Sequence, residues 1–261
     1  MNFFDKTLRS INKIFSKFIN FLKKITKIEI IRKLEKFSEK IHSSALMISS
    51  VAIVIIGLIM YSKTSLEWLL PLSIFGPILI LFIADLANNF HDACSDLIKS
   101  NTTSLGNNAI LELGAVVSLV LAVALFVGGL FAIFNGSLKG TIYSLLASLL
   151  LFINAGTQFN PSLLNIEITK KSSSGEDFIA IFSLNLKSAV FFEKIISTIL
   201  IVLGNIYLIA NLFTQNMEFF MSGITFLSLG IAFPIIVYIS FTIFWFFNSL
   251  LLAVLSLARK K

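Results

Sequence analysis

Charge, cysteine and histidine are all scarce in this chain of 261 residues. Only 13% of its residues are charged and 56% are apolar, and the mean hydropathy is +0.91. A water-soluble domain of this size must cover much of its surface with polar groups, and this sequence contains too few of them. The composition therefore excludes a single water-soluble domain and predicts a protein that lies in a bilayer.

The sequence also lacks the residues and motifs of most known active sites. HExxH, GxSxG, CxxC and the Walker phosphate loop are absent, and the only histidines are His42 and His91. The single cysteine, Cys94, excludes an internal disulfide. With His91, Asp92 and Asp96 nearby it resembles a metal site only weakly, and a small buried residue is the simpler interpretation. We expect no enzymatic activity, no cofactor and no metal.

The positive charge is concentrated in residues 1–43. This segment holds eleven basic and four acidic residues, a surplus equal to the net charge of +7 for the whole chain. A basic surplus beside the first span indicates retention on the cytoplasmic side and attraction to anionic lipid, rather than binding of nucleic acid. Neither a secretory signal nor a transit peptide fits the segment, so the first span is expected to be an uncleaved anchor.

Apolar residues in the same segment recur at spacings of three and four, which predicts a helix. A wide apolar stripe flanked by lysines is typical of a helix that lies on the membrane surface. Two alternatives remain: packing on the protein's own cytoplasmic loops, and a homo-oligomeric coiled coil. The lysines expected to contact lipid headgroups or a partner are Lys13, Lys17, Lys23, Lys24 and Lys27.

From Ser44 onward, long apolar runs alternate with short polar breaks, and a membrane span needs roughly 20 residues. Five spans are predicted, at 45–61, 66–86, 109–134, 140–155 and 195–213. The last apolar stretch, 219–257, is either one bent span or a hairpin of two short spans. With six spans, 19 basic residues lie on the side of residue 1 and only Lys63 and Lys139 on the other side. That asymmetry favours six spans over seven.

We therefore predict an all-α polytopic integral membrane protein of about six transmembrane helices, preceded by a basic amphipathic helix at the N-terminus. The expected divisions are 1–43, the interfacial helix; 44–155, four spans with a cytoplasmic loop at 87–108; 156–193, a cytoplasmic loop and an interfacial elbow helix; and 194–261, the C-terminal spans. The elbow helix is expected to begin near Gly175, and a re-entrant segment is the alternative for 178–187. A composition rich in Ile, Lys, Asn and Phe suggests a bacterial inner membrane, with both termini cytoplasmic.

Ionisable residues near membrane depth are the usual candidates for function in such proteins. Asp85 ends the second predicted span, Asp92 and Asp96 follow on the same helical face, and Glu112 begins the third span. One interpretation is a cation or proton site formed by Asp85, Asp92 and Glu112. The other is that these acids lie in interfacial water and pair with Lys or Arg of the basic helix.

Amide and small side chains within the spans have a structural interpretation as well. The asparagines either line a polar path or bond to a neighbouring helix, which is the commoner role. They are Asn154, Asn205, Asn211 and Asn248. A stripe of small residues in the third span predicts close helix packing, with Gly128 and Gly129 further along. The stripe consists of Gly114, Ser118 and Ala122.

Two functions remain open from the sequence. A membrane scaffold or complex subunit is suggested by the large cytoplasmic helix and loops and by the lack of charge in the spans. A small transporter or channel is suggested by the prolines of the second span, Asp85, Glu112 and the asparagines. The expected partners are the lipid bilayer, with anionic lipid at the basic helix, and either other membrane proteins or a second copy of the chain; no nucleic acid is expected.

Overall fold

The structure is a computed structural model that describes Lys17 and residues 19–24, 26–169 and 174–259. Residues 19–24 are helical. The long helices are α1 Ile28–Thr64, α2 Leu69–Ser100, α3 Ala109–Phe134, α4 Leu138–Phe159, α5 Ser174–Thr214 and α6 Met217–Arg259. Two short strands, β1 Thr103–Leu105 and β2 Ile166–Ile168, and a 3-10 turn, Pro161–Leu164, complete the described part.

Within the described residues, six helices are long and apolar enough to cross a membrane. The prediction of a helical, multi-span membrane protein is thereby confirmed. The second helix continues past its apolar part to Ser100, and α5 begins at Ser174, next to the predicted Gly175. The first sixteen residues of the predicted amphipathic helix lie outside the described residues.

The final apolar stretch is one helix. α6 runs from Met217 to Arg259 with Pro234 inside it, so the alternative of a hairpin of two short spans is wrong. Similarly, α5 is a single helix of 41 residues, and a re-entrant segment at 178–187 is wrong because the chain does not reverse there. The loss of one backbone donor at Pro234 is tolerated in membrane helices when neighbouring groups satisfy the freed carbonyl.

The described residues divide into two compact units. The first combines the described residues up to Lys33 with Thr103–Ala180. Here α3 and α4 form a helical hairpin, because the turn between them places Gly136 at φ +69° and Ser137 accepts a hydrogen bond from the Gly140 amide at 3.3 Å. The strands pair in parallel, with Thr103 opposite Ile166.

The small-residue stripe of α3 faces α4, as predicted. Asn154 Nδ2 donates to Ser118 Oγ at 3.1 Å, and Ser148 Oγ donates to the Ala122 carbonyl at 2.7 Å. A Cβ added at Gly129 would lie 3.2 Å from the Leu145 side chain. Gly128 differs, since a Cβ there would meet nothing within 4 Å.

The second unit combines Leu34–Thr102 with the described residues from Ile181 onward. Its main core consists of apolar residues from α1, α2, α5 and α6, among them Ile53, Leu69, Ile201 and Phe220. A separate core cluster contains Cys94, Ile98, Val190 and Phe241. Cys94 is 1% exposed, which confirms its interpretation as a small buried residue.

Candidate functional site

Buried ionisable side chains lie in the second unit, at positions that the sequence did not single out. Glu193 on α5 is 3% exposed, His42 on α1 is 8% exposed, and Lys187 on α5 is fully buried. All three residues lie outside the predicted spans 45–61 and 195–213, so they form a buried charged region at the span ends and do not contradict the predicted lack of charge within the spans. Buried charges are rare in proteins unless they are paired and hydrogen-bonded.

Glu193 is paired with a histidine from another helix. Its Oε2 lies 2.8 Å from Nδ1 of His91 on α2. Both side chains are largely removed from solvent, at 4% exposure for Glu193 and 15% for His91. Because His91 follows the second apolar run and Glu193 precedes the fifth, the two residues meet at one level of the bundle.

A second histidine contact lies beside this pair. The Thr198 hydroxyl is 2.7 Å from the carbonyl of Lys194, to which it donates, and 3.2 Å from His42 Nδ1, which then donates to it. Lys194 Nζ lies 3.5 Å from a carboxylate oxygen of Glu39. The three helices α1, α2 and α5 thus contribute charged or titratable groups to one region of the unit.

Three of these groups, His42, Glu193 and Lys194, line a small cavity of about 10 Å³. Its polar lining comes from His42, Asn88, Glu193, Lys194 and Ser197, and Pro234 of α6 closes one side. This is about the space that one buried water needs, and the lining offers the polar partners that such a water requires. We call His42, Asn88, His91, Glu193, Lys194, Ser197 and Thr198 the polar cluster.

The chemistry available to the polar cluster is that of proton binding. Histidine and a carboxylate are side chains that proton pathways use, and here the two lie 2.8 Å apart. A transition-metal site needs more ligands, and no group of three or more His, Cys, Asp or Glu suited to a metal ion is present in the described ranges. The arrangement therefore suits a proton better than a metal ion.

Lys187 lies on the same helix, about two turns before Glu193. Its Nζ donates to the carbonyl of Asn101 at 2.9 Å, and it lies 5.9 Å from the centroid of the Trp245 ring. Asn101 is the C-cap of α2, where a cation is favoured by the helix dipole and by the exposed last carbonyls. Lys187 therefore joins the end of α2 to α5 and α6.

The acidic residues proposed from the sequence are not members of the polar cluster. Asp85, Asp92 and Asp96 are exposed on α2 in the second unit, and Asp96 lies 3.4 Å from Lys99. Glu112 belongs to the first unit. That Asp85, Asp92 and Glu112 bind a cation or proton stays a prediction.

Glu112 is held by its own neighbours in the first unit. Lys23 Nζ donates to Glu112 Oε1 at 2.6 Å, and Asn108 Nδ2 donates to the same oxygen at 2.9 Å. Pairing with a lysine of the basic segment is what the alternative interpretation predicts for this residue. Of the other candidate lysines, Lys17, Lys24 and Lys27 are exposed, and Lys13 lies outside the described residues.

The asparagines divide into two groups. Asn205 Nδ2 donates to the Ala45 carbonyl and its Oδ1 accepts from Ser49 Oγ, both at 2.8 Å, so it links α5 to α1. Asn154 links α4 to α3 in the same way. Within the described part of the chain, the buried Oδ1 atoms of Asn211 and Asn248 have no hydrogen-bond partner.

The polar cluster was overlooked because each of its members has an ordinary explanation. Glu193 and Lys194 directly precede the fifth predicted span, where charged residues commonly lie at the membrane interface, and two histidines alone suggest little. The sequence feature that could have revealed the cluster is the position of these residues relative to the predicted span ends. His42, His91 and Glu193 each lie within a few residues of a predicted span end on the same side of the membrane, which brings them to one level.

No protein-family model, curated protein or solved structure matches this chain.

Proposed function

We propose that this protein is a non-catalytic scaffold or subunit of a membrane complex in a bacterial inner membrane, with both termini cytoplasmic. Its binding surface for another membrane protein is the outward face of the second half of α6. The observation that supports this proposal is the apolar exposure of α6 at a level where the neighbouring helix exposes charge.

The apolar part of α6 is longer than a bilayer. The candidate span Met217–Val254 contains 38 residues, which measure about 57 Å as a helix. The hydrocarbon core of a bilayer is only about 30 Å thick. A considerable part of this apolar helix therefore extends beyond the hydrocarbon core unless the helix lies strongly tilted.

Contacts within the second unit indicate which part of α6 extends beyond the hydrocarbon core. Phe241 of α6 packs with Cys94 and Ile98 of α2. Around Cys94, α2 exposes Asp92 and Asp96, which indicates a membrane surface or the cytoplasm. On α6 at this level the exposed large apolar residues include Ile239, Ile243, Phe246, Phe247 and Leu250. Contiguous exposed apolar residues of this kind mark a surface that another protein or the membrane covers.

The charge distribution supports the orientation. With six spans, 19 basic residues share the side of residue 1 and two lie on the opposite side. Lysine and arginine collect on the cytoplasmic side of such proteins. The exposed second half of α6 is then at or near the cytoplasmic surface, where partner subunits are accessible.

A matched pair of phenylalanine substitutions tests the proposal. Phe246 in α6 and Phe131 in α3 are both 64% exposed. After gentle solubilisation from the native membrane, the unsubstituted protein should migrate as a complex with a stoichiometric second protein. Phe246→Ser should reduce the co-purified partner by roughly tenfold, as truncation of an interface aromatic does, whereas Phe131→Ser should not.

The same experiment can also contradict the proposal. If the native mass is that of the chain alone, or if both variants retain the partner equally, α6 is covered by lipid and the proposal is wrong. A complex that contains only this chain would assign the surface to a second copy. Equal expression of both variants in the membrane fraction is the control for insertion.

A second candidate function is proton or cation transport, and the observation that favours it is the buried His91–Glu193 pair. The sequence already suggested a transporter through Asp85 and Glu112, and the polar cluster supplies an internal group of the kind that proton pathways use. Flux through proteoliposomes separates this candidate from a scaffold, which should show none.

A further inference from the structure

We infer that the first unit binds an anionic phospholipid, with one acyl chain in an apolar groove and the phosphate beside Lys17 and Lys24. This site is independent of the partner surface on α6, because it is built entirely from residues of the first unit. The groove runs between the helical segment 19–24, α3 and α4.

The groove has the size and lining of an acyl-chain site. Its volume is about 860 Å³, and ligand pockets usually measure roughly 300–1,000 Å³. All but one of its lining residues are apolar, and the exception, Ser148, donates its hydroxyl hydrogen to the Ala122 carbonyl. The lining comprises Phe21, Leu22, Leu119, Val120, Ala122, Val123, Phe126, Leu145, Ser148, Leu149 and Phe152.

The wall formed by residues 19–24 is fixed in place. Leu22 is buried in a cluster with Ala115, Leu119, Ala155 and Phe159. The Nζ atom of the adjacent Lys23 lies 2.6 Å from Oε1 of Glu112. The groove is therefore held open by packing and by an ion pair, so a ligand need not order the segment.

Two lysines flank the part of this wall that faces the groove. Phe21 lines the groove, and Lys17 and Lys24 lie four residues before and three residues after it. These spacings place the three side chains on one face of a helix. Both lysines are exposed, and among the residues that the structure describes neither forms an ion pair.

This combination selects an anionic phospholipid over the other apolar occupants. An apolar helix of a partner would fill the groove but would leave two ammonium groups beside it without a counter-charge. A zwitterionic lipid carries its own cation next to the phosphate. A headgroup with net negative charge satisfies both lysines, while its acyl chain covers the exposed apolar lining.

The test is native mass spectrometry of the detergent-solubilised, delipidated full chain. Phosphatidylglycerol and phosphatidylcholine with identical acyl chains are titrated separately. A lysine at a lipid surface contributes roughly fivefold in affinity, so the protein should bind phosphatidylglycerol roughly tenfold more tightly or better. The double variant Lys17→Gln/Lys24→Gln should reduce that affinity to the value for phosphatidylcholine.

Matched variants make the result specific. Lys33→Gln/Lys36→Gln removes the same charge from exposed positions of α1 and should leave the preference intact. Val123→Trp fills the groove and should weaken binding of both lipids, whereas Val117→Trp, on the opposite face of α3, should not. Equal affinity of the unsubstituted protein for both lipids would overturn the inference. So would an equal loss in the two lysine pairs, or a co-purified protein that blocks the groove.

Discussion

Glu193 is a carboxylate that the fold keeps out of water in a chain with few charged residues. Removing a carboxylate from water costs roughly several kcal/mol, even when the carboxylate has a partner. Apolar residues of similar size often stabilise a fold equally well. The 2.8 Å contact with His91 therefore has no obvious advantage for stability alone. Proton transfer, the second candidate function, would be a reason to retain the pair.

If the polar cluster carries protons, Glu193→Gln should reduce proton flux into proteoliposomes by roughly tenfold or more, because a neutral amide cannot accept a proton in this range. Glutamine retains the shape of the side chain and a hydrogen bond to His91. His91→Ala is a poorer probe, since it leaves a buried carboxylate without that partner. The measurement is the pH change inside vesicles that contain a fluorescent pH indicator.

The control is Glu167→Gln, the same substitution at an exposed position of β2. It should leave the flux unchanged. Flux that survives Glu193→Gln but disappears in Asp85→Asn and Glu112→Gln would move the site to the acids that the sequence suggested. Absence of flux in the unsubstituted protein would leave the cluster a structural one and favour the scaffold.

At the scale of the elements, the backbones of α5 and α6 approach each other closely where the two helices cross. A Cβ added at Gly204 would lie 3.0 Å from the Gly223 carbonyl, and one added at Gly223 would lie 3.1 Å from the Gly204 carbonyl. Each would also meet a leucine side chain of the other helix at under 3.0 Å. The two glycines therefore let the backbones touch, as small residues do in membrane helix packing.

Gly204→Ala should therefore destabilise the protein by about 1–3 kcal/mol, the usual cost of overpacking. Gly128→Ala is the matched control, since a Cβ there would meet nothing within 4 Å. It should be neutral or stabilise the helix by up to about 1 kcal/mol, because alanine is the better helix former. Thermal unfolding in detergent measures both, and equal melting temperatures for the two variants would refute the packing argument.

The helices themselves were largely predictable, because apolar runs of membrane length need only composition to be recognised. What the sequence could not give was how they pair. β2 pairs with β1, which lies about 60 residues earlier, and each strand is only three residues long, too short for a periodicity. The course of the last apolar stretch, 219–257, was equally ambiguous, since Gly230 and Pro234 in its middle suit either a bent helix or a turn.

The candidate site was less predictable than the helices. Span ends directed attention to Asp85 and Glu112, whereas Asp85 is exposed and Glu112 is neutralised by Lys23. Whether an acid becomes buried depends on the helix that packs over it, and that is a tertiary property. The polar cluster combines His42, His91 and Glu193, which are distant from one another in the chain, so no local sequence pattern predicts it.

At the scale of the whole molecule, the two compact units are not consecutive in the chain. Each combines an early segment with a later one, and α1 and α5 contribute residues to both. Composition and hydropathy are local properties of the chain, so they cannot show which distant segments combine into one unit. The sequence does predict the orientation in the membrane. Lysine and arginine collect in the cytoplasmic connections, and this rule requires only that the connections on each side of the membrane be known.

Orientation is best tested with engineered cysteines, since the natural one is unsuitable. Cys94 is 1% exposed and packed among apolar residues, so its failure to react would say nothing about the side of the membrane. In a Cys94→Ala background, Glu67→Cys lies between α1 and α2 and Asn135→Cys between α3 and α4, both at exposed positions. Ser162→Cys is exposed in the 3-10 turn after α4.

A membrane-impermeant maleimide should label the cysteines at 67 and 135 on intact spheroplasts, because the connections that carry Lys63 and Lys139 are the ones poor in basic residues. The cysteine at 162 should react only after the membrane is opened. Labelling of 162 alone on intact spheroplasts would invert the orientation and place the second half of α6, with its exposed apolar face, on the outer side. A partner subunit would then have to be sought outside the cytoplasm.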